Sequence, residues 1–227
     1  MARIYKKLIL LIFLILPITS KAHVQHYDNL NRIEFDIFRN NKHIGKHIFY
    51  FKKSNDQLSV VSEINFEIKK FGIVLYSYHV KGTEYFKDGE LIKFNSKTNQ
   101  NGKEKYVNIK LEDEELVVDG SSFKGKVPKD YLVGTWWNHS IVKAEAQISA
   151  VSGRIIKQKV TFSGKESINI DNRTYNTLHF NFSSTDKKLD KDKKLNTDVW
   201  YDENTLNWVK ATFKKKGDWE YKLILEE

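Results

Sequence analysis

Apolar and polar residues alternate from Ile33 onward, and a period of two commits a segment to a strand with one buried face. Ile33, Phe35 and Ile37 open the pattern, and Arg39-Asn40-Asn41-Lys42 turns it, since asparagine tolerates the left-handed backbone of tight hairpins. Ile44, Ile48 and Tyr50 return on a second strand, with Gly45 read as a bulge or a close approach. The cleanest alternation sets Leu58, Val60, Ile64, Phe66 and Ile68 against Glu63, Asn65, Glu67 and Lys69. Ile73–Phe86 follows as a long strand and ends at Asp88-Gly89, a strong hairpin signal. Shorter runs continue to Leu225, among them a hairpin predicted from Arg154–Ser163 to a partner beginning near Glu166. These make about ten or eleven antiparallel strands, several longer than the usual five or six residues. So many should curl into a closed or half-open barrel, because curling disposes of exposed edges. Sequential hairpins favour up-and-down order. The expected fold is all-β with minor α content.

The alternation breaks at Pro128–His139, where two adjacent tryptophans follow a glycine. This stretch reads as a plug, a short helix or loop whose Tyr131, Leu132, Trp136 and Trp137 close one opening of the barrel. If the pair is extended, one indole is buried and the other exposed. Ile141–Ala150 has mixed periodicity and fits helix or strand, and Lys187–Lys194 reads as a solvated loop.

Residues 1–22 read as a secretory signal peptide. Arg3, Lys6 and Lys7 precede the apolar run Leu8–Ile18, and Ser20-Lys21-Ala22 supplies small residues for cleavage after Ala22. The run is short of the about 20 residues that span a bilayer, so no membrane span is expected after cleavage; kept, the segment would be an anchor. A single domain then occupies 23–227, with the chain's charge of +9 reduced to +5 by loss of four basic residues. The expected location is periplasmic or secreted. A mild, dispersed positive charge suits anionic lipid or polysaccharide and argues against nucleic acid, which wants a dense basic face. With no cysteine, the core alone must hold the fold.

Enzymatic constellations are largely missing. There is no cysteine nucleophile, no Gly-x-Ser-x-Gly elbow and no glycine-rich strand-to-helix loop, so no catalytic residue and no cofactor are expected. His43 and His47 fall on one strand face about 13 Å apart at about 3.3 Å per residue, too far to share a metal, and read as surface imidazoles. His23 would become the first residue after cleavage, and its amine and imidazole with His26 could hold copper; a frayed terminus is the plain alternative. Glu63 and Glu67 share a polar strand face and read as solvated. Tyr76, Tyr78, Trp136, Trp137, Trp200 and Trp208 are the candidates for lining an apolar ligand cavity. The same aromatics could simply fill a barrel.

Four pieces together carry a resemblance: FDIFRNNKHIGKHIFYF from Phe35, EYFKDGELIKFNSKTNQNG from Glu84, GTWWNHS from Gly134 and VWYDENTLNWVKATF from Val199. They resemble an exported bacterial family described as a domain of unknown function. The resemblance implies a curved antiparallel sheet similar to the half-barrels of periplasmic lipoprotein carriers, and no catalytic residues. Lys187–Lys194 departs from that pattern as an insertion placed to gate one end. The expectation is a non-enzymatic protein binding an apolar or amphiphilic ligand, a lipid or acyl chain. The alternative is a structural or interaction module of the cell envelope, with an envelope protein as partner and a filled barrel. Cavity volume separates them, a ligand carrier needing about 300 Å³ or more.

Overall fold

A computed structural model describes Tyr27, residues 30–190 and residues 193–227. The expected signal segment and the pair His23 and His26 lie outside the described residues.

The described residues form fifteen strands. They are β1 (Arg32–Arg39), β2 (Lys42–Ser54), β3 (Gln57–Lys70), β4 (Ile73–Lys87), β5 (Glu90–Gln100), β6 (Lys103–Glu112), β7 (Glu115–Gly120) and β8 (Lys124–Pro128) in the first half. The second half supplies β9 (Leu132–Val133), β10 (Ala146–Ile148), β11 (Ile155–Ile170), β12 (Arg173–Ser184), β13 (Asn196–Asp202), β14 (Trp208–Lys214) and β15 (Asp218–Glu226). All belong to one sheet in the order β8-β7-β6-β5-β4-β3-β2-β1-β15-β14-β13-β12-β11-β10-β9. Except for β8 and β9, neighbours in sequence are neighbours in space, and the last and first long strands pair to join the two halves. Only β9 and β10 run parallel.

The expected strand count is corrected here, and of the closed and half-open alternatives the closed one falls. β8 and β9 end the sheet and share no ladder, so it is a barrel-like wrap with one unpaired seam. The extra strands β8, β9 and β10 are two to five residues long, too short to display a period. A second correction concerns the turn expected between Ser163 and Glu166, a stretch that lies within the 16-residue β11. The register shifts there, between Phe162 and Gly164, so the glycine (φ 134°) marks a bulge.

Up-and-down order sends alternate turns to opposite ends. One end gathers the β1–β2, β3–β4, β5–β6 and β14–β15 turns; the other gathers β2–β3, β4–β5, β6–β7 and the plug. Inside lie the alternate residues of each long strand, Phe35 and Ile37 of β1, Phe49 and Phe51 of β2, Val60 and Phe66 of β3, all buried. The β1–β2 ladder slips between Ile37 and Phe38. That slip reverses the parity of β2, so His43 is exposed beside Asp36 (3.1 Å) while His47 points inward, 4 % exposed. The reading of His47 as a surface imidazole is therefore overturned. Gly45 sits at the same place; a Cβ there would lie 2.1 Å from the Asn65 carbonyl oxygen, so the close approach requires glycine.

Candidate functional site

The chain leaves β8 at Pro128, crosses in three residues to β9, and then turns inward. Asn138 caps a short 3-10 helix, His139–Lys143, by accepting the Ser140 amide at 3.0 Å. Trp137 has no exposed surface. Its ring meets Tyr27, Phe51 and Phe86 edge-on at centroid distances of 5.0, 5.4 and 5.6 Å, the favoured aromatic arrangement. Its indole N–H donates to Glu84 Oε1 at 2.6 Å, and the Thr135 hydroxyl donates to the same oxygen at 2.9 Å.

Glu84 is thus a carboxyl inside the barrel. Burial penalises its charged form more than these two hydrogen bonds favour it, and pushes its pKa up to about 7. Trp136 adopts a left-handed backbone (φ 59°), unfavourable for a bulky side chain. The twist sends its ring away from that of Trp137, edge-on to Trp208 at 5.6 Å and to Tyr221 at 6.3 Å.

Beside Trp136 lies a partly enclosed cavity of about 230 Å³. Ile64, Tyr78, Val80, Phe94 and Tyr221 form its apolar wall; His47, Ser62, Thr135 and Gln147 add polar groups. Away from the plug it is bounded by Val151 and Leu195, which belong to connections at the far end. His47 Nε2 lies 2.9 Å from the Ser62 hydroxyl, and burial lowers the imidazole pKa to about 3, which keeps it neutral. Two buried atoms of lining residues, His47 Nδ1 and Trp136 Nε1, have no hydrogen-bond partner among the described residues.

The six candidate aromatics divide. Tyr78 and Trp136 line the cavity. Trp137 and Trp208 are core, the latter stacked on Phe35 at 3.9 Å. Tyr76 stacks on Phe66 at 6.1 Å and accepts from Gln100 at 2.8 Å. Trp200 lies on the outer face, since its neighbours Val199 and Tyr201 point inward; it stacks on His179 at 4.3 Å and donates to Glu166 at 2.6 Å. Glu63 and Glu67 pair with Lys81 and Lys69. Among the described residues no cluster of three or more His, Cys, Asp or Glu is arranged to hold a metal.

Sequence reasoning missed Glu84, His47, Gln147 and Tyr221. For Glu84 the signal was present: it shares parity with Val80, Gly82 and Phe86.

Fold and site define an all-β, barrel-like protein with a partly filled lumen. The chain belongs to the family described as Domain of unknown function (DUF6134), whose profile matches residues 35–224, so the expected membership of such a family is borne out. Among solved structures it is similar to a β-barrel-like protein of domain of unknown function DUF1849 from Brucella abortus. The two are 13% identical, with a TM-score of 0.62 over 87% of this chain and 97% of that one. That likeness extends to the fold. No curated protein matches.

Proposed function

We propose that this is an exported, non-enzymatic protein that takes a slender apolar chain bearing a hydrogen-bonding group into its lumen. The observation carrying the reading is the cavity beside Trp136, with largely apolar walls and Ser62, Thr135 and Gln147 among its polar lining residues. At about 230 Å³ it is smaller than the about 300 Å³ at the low end of ligand pockets. It has room for about seven or eight groups at roughly 30 Å³ each. Seven buried methylenes contribute roughly 6 kcal/mol, against an association cost of about 4 kcal/mol or more. Binding is therefore weak and selective for short chains.

Octanol and octanoate at millimolar concentration should shift tryptophan emission through Trp136. Affinity should rise about fourfold per methylene and level off near eight carbons. Ala150→Phe, which fills the cavity, should abolish the response. Unchanged emission and melting temperature across the chain-length series would end this reading. The filled structural or interaction module, with an envelope protein as partner, would replace it; Trp137, Trp208, Tyr27 and Tyr201, all without exposed surface to within 1 %, favour it.

A further inference from the structure

The β3–β4 hairpin ends in an apolar tip. Phe71 is 92 % exposed, Ile73 66 %, Leu75 55 % and Val74 45 %. Scattered exposed apolar residues need no explanation, but four within five positions do. The backbone adds a second oddity. At the turns holding Asn40, Asn55, Asp88, Asn101, Asp113 and Asp171 the left-handed position is asparagine or aspartate, the residues that accept it, while Leu206 and Lys216 hold it at two others. At this tip that position is Phe71 (φ 51°), which does not tolerate it well. Strain kept at an exposed aromatic points to a use for the ring.

The surroundings of the tip say what it meets. Its end of the barrel is cationic: Lys69-Lys70 flank the tip itself, Lys103 lies at the β5–β6 turn, Lys214 ends β14, and Lys215-Lys216 lie in the β14–β15 turn. The opposite end is anionic, with Glu112-Asp113-Glu114-Glu115 at the β6–β7 turn and Asp202-Glu203 after β13. Lys70 Nζ lies 5.5 Å from the Phe71 ring centroid, and Lys69 pairs with Glu67 at 2.8 Å. A narrow apolar wedge has little area to offer a folded partner. A broad positive end around it complements a broad negative surface.

We propose that the β3–β4 tip docks on an anionic lipid surface, seating Phe71, Ile73 and Leu75 among the headgroups and upper acyl chains while the lysine-rich end faces the phosphates. The charge separation along the barrel would orient the approach, since juxtamembrane lysines are attracted to anionic leaflets over about a Debye length. This stands apart from the lumen: the tip can meet lipid whether or not the cavity takes a ligand.

The chain has no cysteine, so Phe71→Cys in the full chain accepts one environment-sensitive dye. On vesicles of phosphatidylcholine with phosphatidylglycerol, the dye should shift to the blue and become protected from aqueous iodide. The same dye at Glu114→Cys, on the opposite end, should do neither; the pair of readings isolates the tip from any other membrane contact of the chain. Lys69→Gln with Lys70→Gln should raise the lipid needed for half-maximal signal by about 25-fold, roughly fivefold per lysine. Pure phosphatidylcholine should also weaken the signal. An unchanged Phe71-site dye, equal responses at both sites, or indifference to the lysine changes overturns the proposal. Self-association of the unlabelled chain that Phe71→Ser abolishes would place a second copy on the tip and equally overturn it.

Discussion

Replacing Glu84 by glutamine tests whether the carboxyl inside the barrel is the source of a pH-dependent penalty on folding. Its pKa is about 7 in the folded chain against an ordinary 4.5. Below about pH 4.5 the group is protonated in both states and contributes nothing. Between 4.5 and 7 the unfolded chain ionises while the folded chain does not, so stability falls as pH rises; above 7 the loss is complete. At about 1.36 kcal/mol per pKa unit the loss reaches ~3 kcal/mol, or roughly 6–12 °C in melting temperature for a chain of this size. Glu84→Gln keeps an oxygen that can accept from Trp137 and Thr135 and removes the ionisation. Its extra N–H groups add an offset of about 1–3 kcal/mol if they stay unpaired, but that offset does not depend on pH. Urea unfolding of both proteins from pH 4 to 8 separates the two. The stability of the glutamine variant minus that of the parent should be flat at low pH, rise by ~3 kcal/mol toward neutrality, and then level. His47 acts equally in both chains and cancels. A difference that is constant across the range, or that falls as pH rises, refutes the assignment of Glu84 as a buried, neutral acid.

His47 acts in the opposite sense: its pKa is about 3 folded against an ordinary 6.5, so stability is lost as pH drops from 6.5 toward 3. His47→Leu should remove that acid-side slope, worth up to ~5 kcal/mol, in the same urea series. Trp137→Ala should destabilise by about 3–5 kcal/mol as a large core truncation, with Trp136→Ala under about 2 kcal/mol because its ring borders a cavity; equal losses by thermal melting would contradict their different placement. Gly120→Ala should cost about 1–3 kcal/mol as overpacking, since its Cβ would lie 2.6 Å from the Ser152 carbonyl oxygen; calorimetry indifferent to the change would mean that the seam is looser than it is drawn.

Long alternations were legible because nothing interrupts their period. Leu58–Ile68 and Val80–Phe86 place their even-numbered residues inward, as the pattern demands. Where the period carries a defect, a linear reading goes wrong by a whole face. One extra residue near Ile44 moves His47 from the solvent to the lumen, and the Gly164 bulge makes one strand resemble a hairpin. Val199, Trp200 and Tyr201 are apolar on both faces, so alternation cannot say which side Trp200 takes; only pairing with His179 across the ladder does. Burial of Glu84 was open to a reading by parity, which sequence reasoning missed. Its partners were not, because Thr135 and Trp137 arrive from about fifty residues away through a segment with no period.

The open seam explains why the strands bordering it are so short. A sheet edge offers unpaired amides to any passing strand, and charge, proline and brevity are the usual defences. β8 has all three, with Lys124, Lys126 and the edge-tolerated Pro128 in five residues. β9 is two residues long and spends its pairing on β10. Across the gap the connection between β10 and β11 lies against β7: the Ser152 carbonyl accepts the Ser122 amide at 2.8 Å, and Gly120 lacks the side chain that would hold them apart. Ser96 of β5 adds its hydroxyl to the Ala150 carbonyl of the same connection. The seam is thus bridged by a turn instead of a ladder. A ladder would fix every residue along it, whereas a bridging turn leaves Ala150 and Val151 to border the lumen.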